Sequence, residues 1–435
     1  MKWVSDCRSA NGLTPTTHRP IKLEDAGEQR GNCKKGWVMP QHVQVRLKPR
    51  KAAPFFGRHP WVLASAIDRI EGEVVAGDVV DLVAENGDFI ARGIINPESR
   101  IRVRLYTWQR DETLEYEWWQ HQLSKACELR REMGLLTPDG ACRLVNSEAD
   151  GVSGLIVDRF SDYLVIQPTS LAVWRRLDSI ASILQAEIGP KGIVLHSDPQ
   201  INRREGINAV LQPTWGESPD HSVTILEDGL RFQIDLGQSQ KTGFYLDQRN
   251  NRRAASHYLR GKTVADVCCY SGGFSIFAEK RGEANRVIGV DASQSAIALA
   301  QQHADLNECE RCEFEKGDCF KWLDGVVERQ EQFGAVILDP PKFASGRKGA
   351  SAALRAYHRL NLQAIKAIET DGILVTCSCT GSVHREEFID TLHGAAVRAK
   401  RTIQILENRG AAPDHPVGTH CRENDYLKCL ICRVL

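Results

Sequence analysis

The chain has 435 residues, 42% hydrophobic and 26% charged, which is the composition of a soluble globular protein with enough apolar residues for roughly two to four packed cores. Its 56 basic and 56 acidic side chains cancel, so a globally basic protein is excluded and any nucleic-acid surface must come from local clustering. The start, Met1-Lys2-Trp3-Val4-Ser5-Asp6, lacks the apolar core of a secretory signal, and no apolar run is long enough to span a bilayer. The 14 cysteines are therefore expected to be mainly reduced thiols in a cytoplasmic protein.

Residues 1–42 are polar, carry no apolar period and read as a disordered extension. Met39 stands directly before the first strand-like segment, which suits a start codon assigned too far upstream. Residues 43–118 read as a small β-barrel domain. Residues 43–47 and 101–105 alternate, 79–83 and 90–95 are further strands, and Asn86-Gly87 is a hairpin turn signal. Arg46, Lys48, Arg50, Lys51 and Arg58 fall in one span without an acid, interleaved with Phe55, Phe56 and Trp61. Arg100, Arg102 and Arg104 share one strand face. Cations among aromatics fit a nucleic-acid surface, with phosphates for affinity and rings for stacking; a solvated strand face beside an aromatic core gives the same pattern.

Residues 119–221 read as a small α+β module: a helix over 118–133, strands at 154–159 and 163–167, a helix over 172–187 and a strand at 192–195. From 222 the pattern changes. After a hairpin at Asp228-Gly229, strands at 263–267, 286–290, 335–338 and 373–375 alternate with helical stretches, as in a doubly wound α/β sheet.

Ligands of such a sheet bind at the carboxyl ends of the strands. The first strand runs into Cys268-Cys269-Tyr270-Ser271-Gly272-Gly273-Phe274, a small-residue turn that lets a ligand approach the backbone. The second ends at Asp291, about 20 residues on, where a carboxylate suits a ribose diol. Asp318-Cys319 follows the third strand and could face an adenine amino group; a helix N-cap explains an aspartate there equally well. With Asp339 at the end of the fourth strand these make three strand-end acids behind a glycine turn, and they point jointly to an adenosine ligand.

The fourth strand ends in Asp339-Pro340-Pro341-Lys342-Phe343 and the fifth in Thr376-Cys377-Ser378-Cys379-Thr380-Gly381, which sets a carboxylate and a thiol at one edge. A carboxylate that holds a heterocycle and a thiol that attacks it are the parts needed to alkylate a ring carbon. The same Asp-Pro-Pro run could instead position an exocyclic amine for methylation without a thiol. A non-catalytic RNA-binding protein that keeps the fold is a third possibility. Two Cys-x-x-Cys pairs, Cys309/Cys312 and Cys429/Cys432, raise zinc; the second lies in a strand-like run, where such a spacing points to opposite faces, and no metal site is expected.

The α/β part resembles the S-adenosylmethionine-dependent methyltransferase superfamily, whose sheet has seven strands with the last antiparallel. The Ser271-Gly272-Gly273-Phe274 turn, the run from Lys241 to Arg249, the Asp339 motif and Ser378-Cys379-Thr380-Gly381 narrow the resemblance. They are similar to the bacterial large-subunit 23S ribosomal RNA methyltransferase I family, which makes 5-methylcytosine. The stretch from Asp150 to Phe160 and Asp414-His415-Pro416 also match, and the resemblance covers about residues 43–435. It implies a Rossmann-like class I methyltransferase domain behind a PUA-like RNA-binding domain, S-adenosylmethionine as cofactor, and large-subunit ribosomal RNA as partner, with a homodimer compatible.

Carried over residue by residue, it implies Cys379 as the nucleophile with Asp339 on the base. It places Tyr270, Ser271, Gly272, Asp291, Asp318, Cys319 and Asp339 around the cofactor. Pro340, Pro341, Lys342, Phe343 and Arg249 would meet the RNA, and the basic cluster of Arg46, Lys48 and Arg50, read from its own pattern, would join them. Lys241 and Gln248 are expected to help close the site, and Asp414-His415 to stand behind it. Departures are small: Cys377 stands where the family usually has an aromatic residue, Thr380 where serine is common, and Cys268-Cys269 where Phe-Ser is frequent.

Overall fold

The computed structural model describes residues 42–208, 214–219, 222–236, 244–344 and 346–435. The expected extension, His42 aside, and Lys241 lie outside them. The front of the described chain is a six-stranded sheet of Val43–Leu47, Trp61–Leu63, Ile67–Glu71, Val79–Val83, Phe89–Ile95 and Ile101–Thr107. Its inward positions, among them Val45, Leu47, Val62, Leu82, Ile95 and Val103, form one apolar cluster. Trp61–Leu63 and Ile67–Glu71 escape a pattern search because one has three residues and the other shows no buried face.

The middle of the chain forms a five-stranded sheet, with Ala141–Asn146 pairing antiparallel to Leu155–Phe160. Helices Tyr116–Glu132 and Leu177–Ile188 bury Trp118, Trp119, Leu123, Ile180 and Leu184 in a shared cluster. The helix expected over 172–187 is two helices. Ser170 caps Leu171–Trp174 by accepting from the Val173 N–H, and the chain breaks at Arg175 and Arg176 before Leu177.

The largest sheet has seven strands: β1 (Thr263–Val267), β2 (Arg286–Asp291), β3 (Cys312–Lys316), β4 (Phe333–Leu338), β5 (Ile368–Ser378), β6 (Ile403–Arg409) and β7 (Lys428–Val434). Their order is β3-β2-β1-β4-β5-β7-β6, parallel throughout except for β7, which runs antiparallel to both neighbours. Helices α1 (Gly273–Lys280), α2 (Gln294–Leu306), α3 (Cys319–Glu328), α4 (Ala350–Ala367) and α5 (Arg385–Ala399) connect the strands. Strands covered on both faces read as continuous apolar runs, and all six residues of β4 are buried.

The two faces hold separate cores. Val336, Leu338, Leu374 and Cys432 belong to one; Ala335, Ile337, Cys377 and Cys429 belong to the other. Cys429 and Cys432 thus point to opposite faces. The parallel order places the ends of β1, β2, β4 and β5 on one edge. Among the described residues no helix is long and apolar enough to cross a membrane.

Candidate active site

The turn after β1 is built from residues in the left-handed region: Cys268 at φ 66°, Tyr270 at φ 46° and Gly272 at φ 75°. A Cβ on Gly272 would stand 3.1 Å from the Ala300 Cβ and 3.2 Å from the Phe314 ring, so both conformation and space call for glycine. The turn is pinned from two sides. The Tyr270 N–H donates to Asp291 Oδ2 at 3.1 Å, and the Ser293 N–H donates to Asp291 Oδ1 at 2.9 Å. Behind it, His303 Nδ1 donates to the Ser271 carbonyl at 2.9 Å while Nε2 accepts from the Gln233 N–H at 3.0 Å. Burial lowers the His303 pKa, in keeping with a neutral ring.

Asp318 caps α3: its Oδ1 accepts from the N–H groups of Phe320 at 3.1 Å and Lys321 at 3.0 Å. The cap is therefore real. Oδ2 takes no hydrogen bond among the described residues and the side chain is exposed, so capping leaves an acceptor over for a ligand. The neighbouring Cys319 thiol is paired with Cys268, which pulls Cys319 down and pushes Cys268 up. A half-buried carboxylate closing β2, a second acid over β3 and a small-residue turn opening α1 form a donor and acceptor set that fits an adenosine group.

Asp339 follows β4, with its N–H on the Val267 carbonyl at 3.3 Å. Its carboxyl is pushed up to about 7, chiefly by burial and next by the charge of Asp247, against the pull of a hydrogen bond from Gln248. Asp247 is itself buried. Its Oδ2 accepts from the Tyr426 hydroxyl at 2.6 Å and its Oδ1 has no hydrogen-bond partner among the described residues. Asp266, inside β1, is likewise raised to about 7 by burial and accepts from Ser275 Oγ at 2.6 Å.

Cys379 lies one residue past β5, half-buried, with Sγ 3.9 Å from the Pro340 carbonyl oxygen. The strand-end sulfur and the loop that follows Asp339 are thus neighbours. Beyond it, Thr380 Oγ1 is 2.8 Å from the Tyr357 hydroxyl, and its carbonyl accepts from Lys428 Nζ at 2.9 Å. Cys377 is fully buried, and its thiol is pushed far up by pairing with Cys429 and by burial.

The remaining expected contact residues divide. Pro341 and Lys342 are exposed beside the site and Pro340 is buried. Phe343 is turned inward, its ring 4.9 Å from that of Tyr357 and 6.2 Å from that of Phe320. Arg249 is tied to Asp414 and donates to the Ala141 carbonyl at 3.3 Å. Burial pushes the Asp414 carboxyl up, but His415, Arg249 and the Arg143 N–H together hold it well below the usual carboxylate range. Arg46 is paired with Glu71 at 2.7 Å and Lys48 donates to the Ser65 carbonyl at 3.1 Å; Lys48 and Arg50 are exposed.

Three residues read as part of the basic and aromatic surface are committed inward instead. Arg104 is buried on Glu148 at 3.3 Å and Ser153 at 3.1 Å, Trp61 Nε1 donates to Glu148 at 2.9 Å, and Phe55 is in the core. Their spacing resembles a binding face because alternation alone cannot tell solvent from a second packed module. Phe56 remains 61% exposed.

Sequence reasoning passed over the roles of Asp247, Asp266, Tyr357 and Lys428. The one visible signal was Lys428, a single cation inside the apolar run Leu427-Lys428-Cys429-Leu430-Ile431. The Cys309/Cys312 pair meets Glu279 with ligand atoms within 4.8 Å of one another, a grouping that could hold a metal. Both carboxylate oxygens already accept N–H bonds, from Glu310 and Arg311, at 2.9 Å.

The chain is similar to known proteins over most of its length. A PUA-like domain family matches residues 45–108, and an S-adenosylmethionine-dependent methyltransferase family matches residues 199–423. Ribosomal RNA large subunit methyltransferase I of Tolumonas auensis is 37% identical over 394 residues, 90% of this chain and 99% of that protein. The protein of the same name from Aeromonas hydrophila is 37% identical over 86% of this chain and 95% of its own length. Among solved structures, a protein of Streptococcus mutans described as an S-adenosylmethionine-dependent methyltransferase superposes with a TM-score of 0.76 at 19% identity, over 90% of this chain and all of that one. Another methyltransferase structure, solved with S-adenosylhomocysteine, superposes at 0.77 with 19% identity and the same coverage.

Proposed function

Because the chain belongs to the ribosomal RNA large subunit methyltransferase I family and is an S-adenosylmethionine-dependent methyltransferase, we propose that it methylates carbon 5 of a cytidine in large-subunit ribosomal RNA through a covalent Cys379 adduct. The observation that carries this reading is the 3.9 Å approach of the Cys379 sulfur to the Pro340 carbonyl, next to the Asp339 carboxyl, which burial pushes up to about 7. In this reading residues 43–118 grip RNA, 119–221 brace the core, and 222–435 hold the cofactor and the base in the cytoplasm.

Carbon 5 of cytosine is a weak nucleophile. Addition of the Cys379 thiolate to carbon 6 forms a C–S bond and moves the ring electrons toward carbon 5 and nitrogen 3. Asp339, protonated, donates to nitrogen 3 and so accommodates that charge. When bound, S-adenosylmethionine would supply the electrophilic methyl group that carbon 5 takes, its sulfur–methyl bond breaking to leave S-adenosylhomocysteine. Loss of the carbon-5 proton to a base and departure of the sulfur from carbon 6 restore the ring and return the proton to Asp339. Asp291 and Asp318 orient the adenosine end, while Pro340 and Pro341 stiffen the loop beside the base. A paired base hides these ring atoms, so the target must be unstacked.

The test uses RNA carrying 5-fluorocytidine. Fluorine blocks the final elimination, so an RNA–protein adduct stable to denaturant should accumulate with the wild type and be absent with Cys379→Ala. Nucleoside analysis of normal product should show 5-methylcytidine. A product methylated on an exocyclic nitrogen, with no adduct, would favour direct transfer; no product of any kind would point to a non-catalytic role.

A further inference from the structure

Lys428 opens β7 and pairs in register with Ser378, the residue before Cys379. Its side chain is 2% exposed. Nζ donates to the Thr380 carbonyl at 2.9 Å and to the Tyr426 carbonyl at 2.8 Å. Both acceptors are neutral, and among the described residues Lys428 forms no ion pair with a carboxylate. An ammonium has three N–H donors, and a buried charge without a counter-ion is costly.

The charged groups around it are few. Burial brings the Lys428 pKa down to about 8; Asp425 and Cys379 act against that, while Arg385 and Lys342 act with it. Near neutral pH the amine is thus mostly protonated. Coupling between two titrating sites is reciprocal, so a Cys379 thiolate that favours the ammonium is favoured by it to the same extent. The geometry supplies a buried cation anchored on the carbonyl of Thr380, the residue that follows Cys379, and a nearby positive charge is what a free cysteine lacks near neutral pH.

We propose that Lys428 is a positioning residue for the reaction: anchored on the carbonyls of Thr380 and Tyr426, its buried ammonium holds the end of β5 in place and stabilises the thiolate form of Cys379. Its use in catalysis rests on the covalent reading above; the charge coupling itself does not.

The experiment follows alkylation of Cys379 by iodoacetamide across pH, in full-length protein without RNA, with tandem mass spectrometry separating Cys379 from Cys377. The wild type should reach half-maximal reactivity below the ordinary cysteine value of about 8.5. Lys428→Met should move that midpoint upward by on the order of one pH unit while S-adenosylmethionine binding is kept. A merely structural tie would leave the midpoint where it was. A wild-type midpoint at or above the ordinary value overturns the proposal without any variant, and so does an unmoved midpoint in Lys428→Met that still binds S-adenosylmethionine. Product formation by Cys379→Ala would instead remove the covalent reading, and the alkylation profile would still decide the coupling.

Discussion

Cys377 and Cys379 stand two residues apart at the end of one strand and occupy opposite environments. Cys377 is fully buried in the apolar layer with Cys429, whereas Cys379 has left the strand and meets the Pro340 carbonyl. Both have the thiol; only Cys379 is partly exposed.

Cys379→Ala should therefore lower methyl transfer to ribosomal RNA by at least about three orders of magnitude with cofactor affinity unchanged. Cys377→Ala should keep the rate within a few-fold and lose about 1 kcal/mol of stability from the core. Labelled-methyl incorporation and urea unfolding measure the two effects. Equal activity losses in both variants would contradict the assignment.

Asp339 and Asp266 both have carboxyls raised to about 7, above their unfolded value. Between about pH 4 and 7 the unfolded chain releases protons that these groups retain when folded. Their contribution to stability is therefore full in acid and is lost as pH rises through that window, with a slope of at most about 1.4 kcal/mol per pH unit for each. Asp339→Asn should flatten part of this decline in thermal unfolding scans. In the proposed reaction the same group needs its proton, so kcat should fall as pH rises past about 7 and this limb should vanish in Asp339→Asn, at a much reduced rate.

Asp291 holds the turn after β1 through the Tyr270 N–H, and on the proposed reading it also meets the ribose diol of the cofactor. Asp291→Ala should weaken S-adenosylmethionine binding by roughly 10- to 100-fold by calorimetry, the scale of hydrogen bonds to a charged acceptor. Gly272→Val should weaken it too, because a side chain there is strained and would press on Phe314.

Asp414 is buried beneath Arg249, His415 and the Arg143 N–H, so removing it leaves Arg249 without its counter-ion. Asp414→Ala should cost about 3–5 kcal/mol in unfolding free energy. Since its carboxyl is held low when folded, the stability it adds is present above the usual carboxylate range and is lost as pH falls below it. Arg249→Ala should show a stability loss of its own, which separates its packing role from direct contact with RNA.

Lys48 and Arg50 are exposed, whereas Arg46 is paired with Glu71. Alanine at Lys48 or Arg50 should each reduce the salt dependence of RNA affinity by about one unit of log–log slope if it meets a phosphate. Arg46→Ala should alter that slope less and lower the melting temperature through loss of the tie to Glu71. Filter binding over a range of salt concentrations distinguishes the three.

The alternation of Val43–Leu47 and Ile101–Thr107, the unbroken apolar run of β4, and the acids and thiol at the strand ends were all readable in order, because each depends on local periodicity and on the carboxyl-end rule for parallel sheets. The strand Ile67–Glu71 was not, since half-exposed polar strands carry no period. What the linear order could not settle was the direction in which each charge faces. Arg104 and Arg249 share the composition of an RNA-binding surface and turn inward to Glu148 and Asp414, while Lys428 sits in an apolar run and comes to rest against Ser378 and the Thr380 carbonyl, the neighbours of Cys379, only because β7 returns antiparallel to β5. Residue type and spacing are properties of one segment; the partner of a charge belongs to whichever distant segment the sheet order lays against it.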